Sequence, residues 1–96
     1  MREIPTNSAS LHVKNETDRP RLIWIEPWGA DYTILTHECF ELVARGQEPI
    51  WFYVVEHAGS TQVWLQNSDD CEARINSIPV QCGHQRQDAL DAGLEL

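Results

Sequence analysis

The chain has 96 residues, 42% of them hydrophobic and 23% charged, the make-up of one ordinary globular domain rather than of a disordered or fibrous protein. Seven Lys and Arg stand against fifteen Asp and Glu, and the formal charge of −8 repels phosphate backbones and anionic lipid, so neither nucleic acid nor a membrane is an expected partner. The longest unbroken apolar run, Ile50 to Val55, is far too short to cross about 30 Å of hydrocarbon, and Met1 to Leu11 holds no apolar core of the secretory kind; a soluble, cytoplasmic protein is expected.

In chain order, Ala9, Leu11 and Val13 alternate with polar neighbours and predict a first strand that ends at the turn cluster Asn15 to Pro20. Arg21 to Ile25 follows, apolar on both faces over Leu22-Ile23-Trp24-Ile25, which suits a strand central to its sheet or covered on both sides. Pro27 presets φ for the second position of a type I turn and Gly29 suits the fourth, so Glu26-Pro27-Trp28-Gly29 reverses the chain into Asp31 to Leu35. From Cys39 to Ala44, Phe40, Leu42 and Ala44 face one way and Glu41 the other, before Gly46 to Pro49 closes the strand.

Ile50 to Val55 is wholly β-branched and aromatic; it is predicted at the centre of the core, with Trp51 and Trp24 inside. A turn at His57 to Ser60 leads into Thr61 to Gln66, where Val63 and Leu65 share one face and Gln62, Trp64 and Gln66 the other. Beyond Asn67 to Asp70, Cys71, Ala73 and Ile75 alternate with Glu72 and Arg74, and Ile78 to Val80 is a last short apolar piece. Seven or eight strands with short turns and no room for a crossover helix make an all-β antiparallel sandwich or open barrel over residues 9–84. Residues 1–8 are expected to be flexible and 85–96 to form a frayed or weakly helical acidic tail.

The chemistry-bearing residues narrow the function without naming it. Glu26 and Asp31 flank the hairpin loop; directly across the ladder their β-carbons would be about 5 Å apart, an unfavourable like-charge pair that a bound cation or a basic partner would relieve. His37 and Cys39, like Cys82 and His84, are two apart and would share a face of an extended strand, which makes them candidate zinc ligands. Neither pair has the spacer common in structural zinc sites, and no metal or other cofactor is expected. A blue-copper set is ruled out because the only Met is the initiator.

Three cysteines are an odd number, which argues for reduced thiols over a disulfide framework, with Cys71 packed in the core; the Asn15-Glu16-Thr17 glycosylation sequon is then chance. There is no Gly-x-Ser-x-Gly elbow and no Gly-rich phosphate loop, so an enzyme is not the expected class. Among the four tryptophans, Trp28 sits at a turn and Trp64 stands between two glutamines on a polar face, places where a ring either folds over the core rim or anchors a partner.

Asn15-x-Thr17-x-x-Pro20, then Trp24-x-Glu26-Pro27-Trp28-Gly29-x-Asp31-Tyr32, then Glu38-x-Phe40, give residues 11–44 a pattern that resembles small bacterial all-β proteins of unknown function. That pattern has Pro-Gly-Glu ahead of the Phe strand, where this chain reads Thr36-His37-Glu38. The resemblance implies a fold and no activity.

Two binding functions follow from the residues. The first is a protein-interaction domain or self-associating subunit in which Trp28 anchors and Glu26 and Asp31 steer a basic partner surface. The second is a small-molecule or carbohydrate binder using Trp64 with Gln62 and Gln66, because aromatic faces beside amide side chains can stack on sugars and hydrogen-bond to them. A metal-dependent enzyme is the third and least supported alternative.

Overall fold

The computed structural model describes residues 7–81, so Cys82, His84 and the expectations for residues 1–6 and 85–96 lie outside the described residues, while Asn7 and Ser8, expected to be flexible, open the first strand. Eight strands run in order: β1 (Asn7–Lys14), β2 (Arg21–Glu26), β3 (Ala30–Ile34), β4 (Cys39–Gly46), β5 (Trp51–Glu56), β6 (Ser60–Gln66), β7 (Asp70–Ile75) and β8 (Ile78–Val80). They form two four-stranded sheets, β1-β4-β7-β8 and β3-β2-β6-β5, that make an open sandwich. The expected all-β sandwich is therefore the fold. Every neighbouring pair is antiparallel except β2 and β6, which run parallel.

The alternating strands supply the core, as period-two patterning requires. Ile23, Ile25, Ile34, Val63 and Leu65 face in from the second sheet, and Phe40, Leu42, Ala44, Ala73 and Ile75 from the first. Tyr32 and Phe40 meet across the interior with ring centroids 5.1 Å apart and planes inclined at 49°. Cys71 packs against this cluster, as expected of a cysteine that behaves as a small apolar side chain.

One strand, β5, and two side chains, Trp24 and Trp51, sit differently from the sequence prediction. β2 is central, between β3 and β6, but β5 is the outer edge of the second sheet and not the centre of the core. Phe52 reaches the core, whereas Trp51 is 67% exposed and Trp24, on the outward side of β2, is 37% exposed. A strand apolar on both faces carries no periodic signal of which face is covered, and strand order is set by pairing distant in sequence.

The loops are held by specific polar residues. Asn15 is buried: its Nδ2 donates to Arg19 O (2.8 Å) and Ile34 O (3.1 Å), and its Oδ1 accepts from Thr17 N (3.0 Å) and Thr17 Oγ1 (2.6 Å). The sequon asparagine is thus a structural hub, its amide nitrogen committed to two carbonyls. Arg21 clamps the start of β2 to the β5–β6 turn, with Nε donating to Thr61 Oγ1 (3.1 Å) and Nη2 to Ser60 O (3.0 Å), His57 O (3.2 Å) and Glu56. This clamp lies where the parallel β2–β6 pairing begins.

The turns show where backbone geometry overrides residue type. The Glu26–Pro27 peptide is cis and Gly29 takes φ 70° at the hairpin tip. Glu38 N donates to Leu35 O (3.0 Å) with His37 at φ 69°, the type II arrangement whose third position suits glycine. Asn76 (φ 51°) and Ser77 (φ 70°) make the two-residue type I′ loop between Ile75 and Ile78. Gly46 admits no side chain, since a β-carbon there would lie 2.1 Å from Asn67 O.

Candidate functional site

Residues level with one another in neighbouring strands point to the same face of a sheet. On the outer face of β3-β2-β6-β5, one row reads Asp31, Trp24, Gln62 and Val55; the next reads Glu26, Trp64 and Tyr53; the third reads Gln66 and Trp51. Four large aromatic side chains therefore share one surface with two amides and two carboxylates. Tyr53 is 66% exposed, Trp51 and Trp24 are also open to solvent, and Trp64 is half-buried among them.

The local causes are legible strand by strand. β6 alternates Thr61, Val63 and Leu65 inward with Gln62, Trp64 and Gln66 outward, which places all three predicted binders on one face. The β5–β6 hairpin closes with Glu56 opposite Thr61, and that register puts Val55, Tyr53 and Trp51 beside the same three residues. The parallel pairing with β2 adds Trp24 and Glu26 from the other side. Gln62 Nε2 donates to Glu26 Oε2 (3.2 Å), which holds both polar heads between the rings.

The expected Glu26–Asp31 pair across the ladder does not form. The hairpin closes on Ile25 opposite Ala30, so Asp31 lies opposite Trp24, and Glu26 bonds to Gln62. The loop is Glu26 to Gly29, one residue earlier than the arrangement that would set the acids face to face. Trp28, 50% exposed, lies over one end of the sandwich with Pro27, Gln47, Glu48, Leu65, Asn67 and Asp69 around a shallow cleft of about 410 Å³. The hairpin set is divided: Glu26 and Asp31 belong to the aromatic face, and Trp28 to the cleft.

His37 and Cys39 do not share an extended strand, because His37 sits in the turn with positive φ and Cys39 begins β4. Among the described residues no cluster of three or more His, Cys, Asp or Glu could hold a metal ion. A further cleft of about 380 Å³ between the β3 and β8 edges is mainly apolar, and its one carboxylate, Glu38, accepts from Leu35 N (2.7 Å).

Trp24, Trp51 and Tyr53 were the members of the face that sequence reasoning missed. The usable signal was the hairpin turn at His57 to Ser60: it fixes Tyr53 opposite Trp64, so the polar outward face of β6 dictates the outward face of β5. Set beside known protein families, curated proteins and solved structures, the chain matches none significantly.

Proposed function

We propose that the protein is a carbohydrate-binding domain whose outer aromatic face stacks on sugar rings. The observation that carries this reading is the gathering of Trp24, Trp64, Tyr53 and Trp51 on one exposed sheet face, with Gln62, Gln66, Glu26 and Asp31 interleaved. A contiguous exposed aromatic surface adds nothing to the core and marks a site of interaction. Its polar members suit hydroxyl-rich ligands, since amides both donate and accept and carboxylates accept.

Electrostatics support the choice among flat ligands. Bases would also stack on such a platform, but no Lys or Arg stands in the three rows and the whole chain carries −8, so a phosphate backbone would be repelled. The test is tryptophan fluorescence titrated with neutral glycans. Saturable changes, weakened roughly two- to twelvefold by Trp64→Ala if one stacking contact contributes about 0.5–1.5 kcal/mol, are expected. A flat response across the panel overturns the reading.

A second reading has its own observation. In the end cleft, exposed Trp28 lies with Glu48 and Asp69, a ring face and two acids that suit a Lys or Arg side chain of a protein partner. Trp28→Ala would then abolish a salt-sensitive association and leave glycan titrations unchanged; partner binding indifferent to both salt and Trp28 would refute it.

A further inference from the structure

We infer that the aromatic face takes an extended, neutral or amine-bearing glycan chain, laid diagonally across β2, β6 and β5, and not a single sugar; this rests on the carbohydrate reading above. The three tryptophans stand in line. Trp24 is level with Gln62, Trp64 is two residues further along β6, and Trp51 is level with Gln66, two residues further again. Each step is therefore one strand across and two residues along, about 8 Å by ordinary sheet spacings, and the two steps together span about 16 Å.

That regularity is what a repeating ligand would match. A single hexose covers one ring of the stripe and leaves the others facing water, whereas a run of linked rings covers all three tryptophans, with Tyr53 beside the middle one. Polar groups flank the line on both sides: Glu26 and Gln66 along one border, Gln62 along the other, positions from which they reach hydroxyls of a chain lying on the rings. Trp24 at one end and Trp51 at the other are the most dispensable for the first ring bound and the most needed for chain length.

The charge selects the class of chain. Glu26 and Asp31 border the Trp24 end and no cation stands in the rows, so uronate or sulfated polymers meet like charge. A neutral glucan or an amine-bearing hexosamine chain does not.

The experiment titrates the full chain with cello-oligosaccharides of increasing length, with partly deacetylated chitin oligosaccharides and with oligogalacturonates. Affinity is expected to rise at least about tenfold from the disaccharide to the hexamer, as two further stacking contacts are added, with oligogalacturonates failing to bind. Trp24→Ala and Trp51→Ala, both at exposed positions, should each remove much of the length dependence, weakening hexamer binding by a larger factor than disaccharide binding; their unfolding midpoints serve as the folding check. Equal affinity for disaccharide and hexamer, unaltered by either substitution, overturns the extended-chain inference while leaving a compact carbohydrate site at Trp64 and Tyr53. No binding of any glycan overturns both.

Discussion

The two outer faces of the sandwich are built on the same strand geometry and carry opposite chemistry. On β1-β4-β7, outward residues form a lattice of alternating acids and arginines, Glu41 with Arg74 (3.5 Å), Arg74 with Glu72 (3.1 Å), Glu72 with Arg45 (3.0 Å) and Arg45 with Asp70 (3.6 Å), and the His12 ring lies beside Glu41 (3.4 Å) at its border. Acids and bases there are paired with one another, across to the next strand in every case except Arg74 and Glu72, which neighbour each other along β7. On β3-β2-β6-β5 the corresponding positions hold rings. The lattice is complete without a partner, and the aromatic face leaves apolar area in water. A self-contained face tells of register and solubility, and an uncovered one of binding.

The largest expected effect lies in neither face and sets the scale for both. Asn15→Ala removes four side-chain hydrogen bonds at a buried position, one of them to Ile34 O, so it should cost about 2–4 kcal/mol in denaturant unfolding. A loss under 0.5 kcal/mol would show that the loop does not depend on this hub.

Next comes the aromatic face itself. Trp51→Ala with Tyr53→Ala should lower affinity for a long neutral glycan roughly tenfold or more while changing stability by no more than about 0.5 kcal/mol per site, because both side chains are mostly exposed. If the pair instead unfolded the domain, the rings would be structural and the contrast between the faces would collapse.

His37→Gly and Ser77→Gly relieve positive φ at turn positions and should each raise stability by about 0.5–1 kcal/mol with glycan affinity unmoved. Unchanged or lowered unfolding midpoints would count against the turn assignment.

The smallest effect belongs to the charged face. Hydrogen bonds from Arg45 and then Arg74 hold the Glu72 carboxyl below the ordinary carboxylate value of 4.5. A carboxyl depressed in the folded state stabilises at pH values above 4.5, and that contribution fades as pH falls through its lowered folded value. Arg45→Ala should therefore be slightly less stable than the parent protein at neutral pH, and the gap should close in acid. A gap that persists once Glu72 is protonated would mean that Arg45 acts through packing and not through charge.

Local features were legible in the residue pattern. Alternation in Cys39 to Ala44, Thr61 to Gln66 and Cys71 to Ile75 specified those strands and their buried sides, and placed Gln62, Trp64 and Gln66 on one outward face. Pro27 and Gly29 marked the first hairpin because turn chemistry is local.

Long-range packing is what puts β5 at an edge, pairs β2 in parallel with β6, and brings Trp24, Trp51 and Tyr53 beside Trp64. In Ile50 to Val55 both faces are apolar, so hydrophobicity cannot tell inside from outside. Pairing Trp24 with a strand almost forty residues away is settled by packing the two sheets as a whole. The Glu26 to Gly29 hairpin shows both halves of this: its position was legible in four residues, whereas the neighbours of Glu26 and Trp28 were chosen by strands distant in sequence.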